Sequence, residues 1–213
     1  MNSINKHVVL KKYILNYTCY FLILSVVVFS AYIFTGKTFI YDGDGKNQYI
    51  PVYIFWSKYL RDFFRTIFID HTFSIRQWDF SIGEGADILP ELSYNIVGDP
   101  FSFFSVFIPV KYMYIYYTFM SLFRLYVAGL AFSFMCFKIS KHSGTAVLGG
   151  ALSYVFFQYA IYNVTKHPHF LNILIYFISF SVSFYQFLFF LHGSFTYNCV
   201  CHGSLVGYLL IRL

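Results

Sequence analysis

Between Tyr13 and Thr35 the chain runs 23 residues without a charged side chain, and this run decides which solvent the protein lives in. At about 1.5 Å per residue, a helix of that length crosses the roughly 30 Å of hydrocarbon in a bilayer. Lys6, Lys11 and Lys12 precede it. A secretory signal peptide also begins with basic residues, but its apolar core is only about 7 to 15 residues long and ends at small side chains. Tyr32, Ile33 and Phe34 occupy that place here, so the run reads as a membrane helix.

Further apolar stretches lie at 112–137, 145–164 and 170–191, each long enough to span. Composition agrees, with 58% hydrophobic residues and 11% charged, against roughly 25% charged in an ordinary soluble domain. A surface built from 29 Phe and 21 Tyr in 213 residues exceeds what one small water-exposed fold can bury. The expected fold class is therefore all-α, a polytopic membrane helix bundle. Residues 1–12 form a basic amino terminus, the four stretches form the spans, and 192–213 form an atypical tail. In that tail Phe195 to Leu210 reads either as a short fifth span or as a frame-shifted end.

Orientation follows from the cations. Lys6, Lys11 and Lys12 lie before the first span, and Lys138 and Lys141 lie just after the second. The positive-inside rule puts both ends in the cytoplasm and the 36–110 loop outside. All nine acidic residues fall between Asp42 and Asp99, within this loop. Inside it Tyr53, Trp56, Leu60, Phe63, Phe64 and Ile67 recur at helical spacing, with Ser57, Lys58, Arg61, Asp62, Arg65 and Thr66 opposite. That is the pattern of an amphipathic helix on the outer membrane surface, or equally of a core helix in an external domain. Gly83-Glu84-Gly85 and Gly98-Asp99-Pro100 mark turns.

Several function classes drop out. The cations are scattered among apolar runs and form no basic stripe beside stacking aromatics, so no nucleic-acid partner is expected. Cys19, Cys136, Cys199 and Cys201 form neither a disulfide framework nor a zinc ribbon and read as packing residues. No G-x-S-x-G, P-loop, H-E-x-x-H or kinase signature is present.

The chemistry-bearing candidates lie at or near the outer face. In Tyr41-Asp42-Gly43-Asp44-Gly45-Lys46-Asn47-Gln48-Tyr49 two carboxylates follow the first span closely. Such a pair can ligate a divalent cation, or one carboxylate can act as a general base while the other tunes it. An EF-hand is excluded, because Asn47 stands where its glycine belongs and Tyr53 where its glutamate belongs. A solvated turn is the competing reading. Arg124 sits near the middle of the second span, where a charge needs protein, water or an anion. With no acidic residue in any span, its expected partner is backbone carbonyls, a ligand phosphate, or protein outside this chain. His167 and His169 form a turn between the third and fourth spans and suit proton transfer or phosphate contact, or simply an interfacial turn. Gly149 and Gly150 read as a close helix approach.

Taken in order, Asp42-Gly43-Asp44-Gly45, Gln48-Tyr49 and Pro51 are followed by Trp78, Phe80, Gly83 and Gly85. Tyr94 and Gly98-Asp99-Pro100-Phe101 come next, then Arg124, Gly149, Tyr154 and His167-Pro168-His169-Phe170. This series resembles the amino-terminal part of the YfhO family of bacterial membrane proteins, over about residues 10 to 180. Members of that family are longer, so the resemblance implies a fragment or a disrupted reading frame. It also implies a GT-C-like glycosyltransferase in the bacterial cell membrane, with a polyprenyl-phosphate sugar as donor and a cell-envelope polymer such as teichoic acid as acceptor. The catalytic carboxylate maps to Asp44, with Asp42 as the alternative. Gln48, Tyr49, Asp99, Arg124, His167 and His169 map to substrate binding. Asp99 is also placed to orient the acceptor, hold a metal, or cap the helix after Pro100. The competing function is a non-enzymatic transporter or flippase component for the same lipid-linked sugars, using Arg124 as its binding charge.

Overall fold

The structure is a computed structural model that describes residues 3–94, 96–140, 144–184 and 186. The 192–213 tail, with Cys199 and Cys201, lies outside the described residues. So do Lys141 and the end of the fourth expected span.

The chain is helical almost throughout. Helix α1 (Ser3–Val28) is followed by the short α2 (Ser30–Thr35). Lysine favours helix about as well as leucine does, so α1 runs back through Lys11 and Lys12, and the start of the apolar run is not the start of the helix. The break falls at Phe29, whose buried ring packs on Phe39 with centroids 4.8 Å apart. A π-helical turn at Gly45–Tyr49 leads into α3 (Ile50–Phe68). Two-residue strands β1 (Trp78–Asp79) and β2 (Ala86–Asp87) pair antiparallel, with Trp78 opposite Asp87. After α4 (Ile88–Leu92) and a 3-10 turn at Ser102–Phe107 comes the long α5 (Met113–Ser140).

The stretch expected as one span at 145–164 is two helices, α6 (Thr145–Val155) and α7 (Gln158–Lys166), bent by 46°. Neither proline nor glycine marks the break, so hydropathy reads through it. The backbone turns at Phe156 and Phe157, and α7 then carries Gln158, Asn163 and Lys166, more polar than the residues of α6. An apolar helix α8 (Pro168–Phe184) closes the described bundle. Among the described residues two helical stretches, Val9–Val28 and Val110–Ile139, are long and apolar enough to cross a membrane, and α6 with α7 makes a third if the bent pair counts as one. With a single two-residue strand pair among the described residues, the fold is an all-α membrane helix bundle.

Two cores hold it together. One gathers α3, α4, Ile96 and Phe101 around the first turns of α5. The other joins α1 to the later turns of α5 and to α6, α7 and α8. In the second, Tyr17 is fully buried and donates its hydroxyl hydrogen bond to the Tyr126 carbonyl at 3.1 Å. A Cβ at Gly129 would stand 2.1 Å from that hydroxyl oxygen, so the close helix approach belongs to Gly129. The expectation placed it at Gly149 and Gly150, but a Cβ at Gly149 would meet nothing within 4 Å, and at Gly150 it would meet only the Phe132 ring at 3.2 Å.

Helix α3 divides along its length. Tyr53, Trp56, Ser57, Tyr59 and Leu60 are buried against protein, whereas Phe64 and Phe68 are exposed. Arg61, expected on the solvent side, donates from Nε to the Val106 carbonyl at 2.8 Å and from Nη2 to that of Ile108. These bonds tie α3 to the 3-10 turn.

Candidate functional site

The turn after α2 leaves its carboxylates in water. Asp42 accepts from Lys46 at 3.4 Å with its side chain 89% exposed, a pairing worth little in solvent. Asp44 and Gln48 are exposed, and among the described residues Asp44 has no hydrogen bond or ion pair. Tyr49 at the end of the same turn is buried and shares a 2.5 Å hydrogen bond between its hydroxyl and Nδ1 of His167. Lys166 Nζ stands 3.1 Å from the Tyr41 ring centroid, a cation–π contact. The turn 166–169 thus docks on the turn 41–49. Burial, with the nearby Tyr94 and Asp44, pushes the Tyr49 hydroxyl up to about 12, so it stays a phenol.

Arg124 has a different place from the one expected. It is fully buried and ion-paired with Asp99, which the 36–110 loop brings into the interior. The expectation of a partner other than a carboxylate of this chain is thereby corrected. Counting acids within the spans overlooked a loop that folds back onto α5. Gly98 makes this possible: at φ 85°, a conformation that suits glycine, it turns the chain so that Asp99 points inward. Arg124 Nη2 also donates to the Tyr53 hydroxyl at 2.8 Å, and Nε donates to Asn172 Oδ1 at 3.2 Å. Asn172 Nδ2 donates to Asp99 Oδ1 at 2.9 Å, and so does the Phe101 backbone N–H at 3.1 Å. The Phe101 bond lies within the Gly98-Asp99-Pro100 turn, and the 3-10 turn Ser102–Phe107 that follows has no side-chain cap, so Asp99 does not take the capping role foreseen for it. Its ion pair was not foreseen, and neither were Tyr53, Asn172 and Phe101 as the partners around it. The Phe101 ring also lies 5.3 Å from the guanidinium carbon. The only sequence signal for these partners was the uncompensated charge in a span.

Between the exposed turn and this buried cluster lies a narrow cleft lined by Tyr49, Val52, Tyr53, Tyr117, Pro168 and His169. Tyr117 Oη and His169 Nε2 are buried and have no hydrogen-bond partner among the described residues. Burial, then the neighbouring His167 and Arg124, hold His169 neutral by lowering its pKa to about 4. Among the described residues no group of three or more His, Cys, Asp or Glu is placed to hold a metal ion. The expected site residues therefore fall into two sets. Asp42, Asp44, Gln48, Tyr49, His167 and His169 gather at one end of the bundle, while Asp99 and Arg124 pair inside it.

Helices of this length and hydropathy, an ion pair sealed among them and polar side chains gathered at one end define an α-helical membrane protein. Residues 19–177 match the family described as bacterial membrane protein YfhO, and the chain belongs to that family. No curated protein and no solved structure matches it.

Proposed function

We propose that the chain works as a membrane glycosyltransferase, moving a sugar from a polyprenyl-phosphate donor to a cell-envelope polymer such as teichoic acid. The bundle crosses the membrane several times with its amino terminus in the cytoplasm. The exposed apolar end of α3 rests on the outer surface. The observation that carries this reading is Asp44, an exposed carboxylate without a partner among the described residues, on a turn that Tyr49 and Lys166 fasten to the His167 turn.

The Asp44 carboxylate takes the proton of an acceptor hydroxyl as that oxygen bonds to the anomeric carbon. The bond from that carbon to the phosphate oxygen breaks on the opposite side, its electron pair leaves with the lipid phosphate, and the configuration inverts. Lys166 and His167 stand at the same end of the bundle and stabilise the departing phosphate. Asp42 is the alternative base on the same turn, with Lys46 beside it. Gln48 is exposed on the same turn for an acceptor hydroxyl. The transporter reading rests on Arg124 as a binding charge, and Asp99 already compensates that charge.

The test is transfer by the purified chain reconstituted with polyprenyl-phosphate glucose and a teichoic-acid acceptor. Asp44→Asn is expected to cut transfer by about 10²- to 10⁴-fold while donor binding persists. Undiminished transfer in that variant removes Asp44 as the base.

A further inference from the structure

We infer that Tyr49 is a positioning residue: its hydroxyl donates to Nδ1 of His167 and so holds the proton of that imidazole on Nε2, the nitrogen left to meet the departing phosphate. The inference rests on the reading of His167 as a group beside that phosphate. It moves Tyr49 from touching substrate to setting the side chain that does.

Both partners are held in place by the fold. Tyr49 ends the π-helical turn Gly45–Tyr49 and is 3% exposed, with its ring edge-on to those of His167 and His169. A residue before proline is kept out of the helical region of backbone space, and His167, followed by Pro168, stands at φ −138° and ψ 68°. Its backbone N–H donates to the Asn163 carbonyl at 3.0 Å.

The direction of the bond between the two side chains follows from where each hydrogen can go. Among the described residues, Nδ1 of His167 is the only partner of the Tyr49 hydroxyl. If Nδ1 carried a hydrogen and donated it, the phenol hydrogen would be left without an acceptor, and buried polar groups are rarely left so. If the phenol donates, one bond satisfies both atoms. Burial, with Tyr94 and Asp44 nearby, pushes the Tyr49 pKa up to about 12, so the phenol keeps the hydrogen it donates. A neutral imidazole carries a single N–H, and a bond accepted at Nδ1 places it on Nε2.

His167 is half-buried, and its Nε2 has no hydrogen-bond partner among the described residues. An N–H there donates to an anionic oxygen, whereas the other tautomer turns a lone pair toward it. Tyr49 therefore decides whether His167 attracts a phosphate or repels it. His169 does not replace it in this role, since its own Nε2 is enclosed.

The test is nitrogen-15 NMR of the full chain, labelled at histidine and held in lipid nanodiscs at pH 7.5, with His167→Gln identifying the His167 signals. The wild type is expected to show His167 in one tautomer, bare at Nδ1 and protonated at Nε2. Tyr49→Phe keeps the ring and removes only the donor, and its His167 is expected to exchange between both tautomers. A wild type with a proton on Nδ1, or a Tyr49→Phe spectrum unchanged at His167, overturns the inference. Transfer from polyprenyl-phosphate glucose gives a second reading. Tyr49→Phe and His167→Gln are each expected to cut transfer about tenfold, as loss of one charge-assisted hydrogen bond does. The double variant is expected to lose no more than His167→Gln alone, because Tyr49 acts through His167. Losses that multiply overturn the inference and leave the proposed function standing. A wild type without transfer overturns the proposed function, and with it the role of His167 at the phosphate, whichever tautomer the spectrum shows.

Discussion

The 36–110 loop carries carboxylates of two kinds. At its start Asp42 is 89% exposed and meets only Lys46, and Asp44 meets no partner among the described residues. Near its end Asp99 is 5% exposed and is held by Arg124, Tyr53, Asn172 and the Phe101 N–H. Water solvates the first pair at no cost to the fold. Burial of the third demands a full set of partners, because an uncompensated buried charge is far too costly to keep. A carboxylate so thoroughly occupied fastens the loop to α5 and α8. The unoccupied one is the group that the proposed function makes the base.

The sharpest way to break this contrast is to remove one member of the buried pair. Arg124→Ala leaves the Asp99 charge among apolar neighbours and is expected to cost about 3–5 kcal/mol, read as a fall in the thermal midpoint of the purified protein in detergent. Adding Asp99→Asn to the same chain removes the stranded charge and is expected to recover part of the loss. An Arg124→Ala protein as stable as wild type would mean that the pair does not hold the loop.

A smaller effect follows from His169, which stands between the two regions. Its imidazole is held neutral in the fold, with a pKa of about 4 against 6.5 for the free group. The folded value is depressed, so the stability it contributes is fully present above pH 6.5 and is lost as the pH falls from 6.5 toward 4. The loss reaches at most about 3 kcal/mol. Unfolding midpoints measured between pH 7.5 and 4 are expected to fall more steeply for wild type than for His169→Gln. Parallel curves would remove His169 from the acid response.

Much of the fold was legible because membrane helices announce themselves by length and hydropathy alone. The apolar runs around Tyr13–Thr35 and Tyr112–Phe137 become α1 with α2 and α5. What escaped was set by contacts between distant residues. The bend at Phe156 lacks any local breaker, and the close approach at Gly129 depends on where Tyr17 lies, 112 positions away in the chain. The site shows the same division. That Arg124 needed a partner was plain from its place in an apolar run, but Asp99 and Asn172 lie 25 and 48 residues from it. No periodicity links them. The exposed turn at Asp42 and Asp44, by contrast, follows from local Asp-Gly chemistry and sits in solvent as such chemistry predicts.

The least visible change sharpens the contrast most. Asp44→Asn alters an exposed side chain that accepts no hydrogen bond from its surroundings, so nothing in the fold is left unpaired by it. The expected shift in unfolding free energy is within about 0.5 kcal/mol, measured under the same detergent conditions as for Arg124→Ala. Its one foreseeable structural consequence acts on Tyr49, whose hydroxyl feels the Asp44 charge among the influences that raise its pKa. Removing that charge lets the phenol ionise at slightly lower pH, still far above neutrality, so the hydrogen bond to His167 stays intact. A destabilisation approaching that of Arg124→Ala would show that Asp44 is engaged in holding the turn. It would then belong with Asp99 as a structural carboxylate, and the base would have to be sought at Asp42.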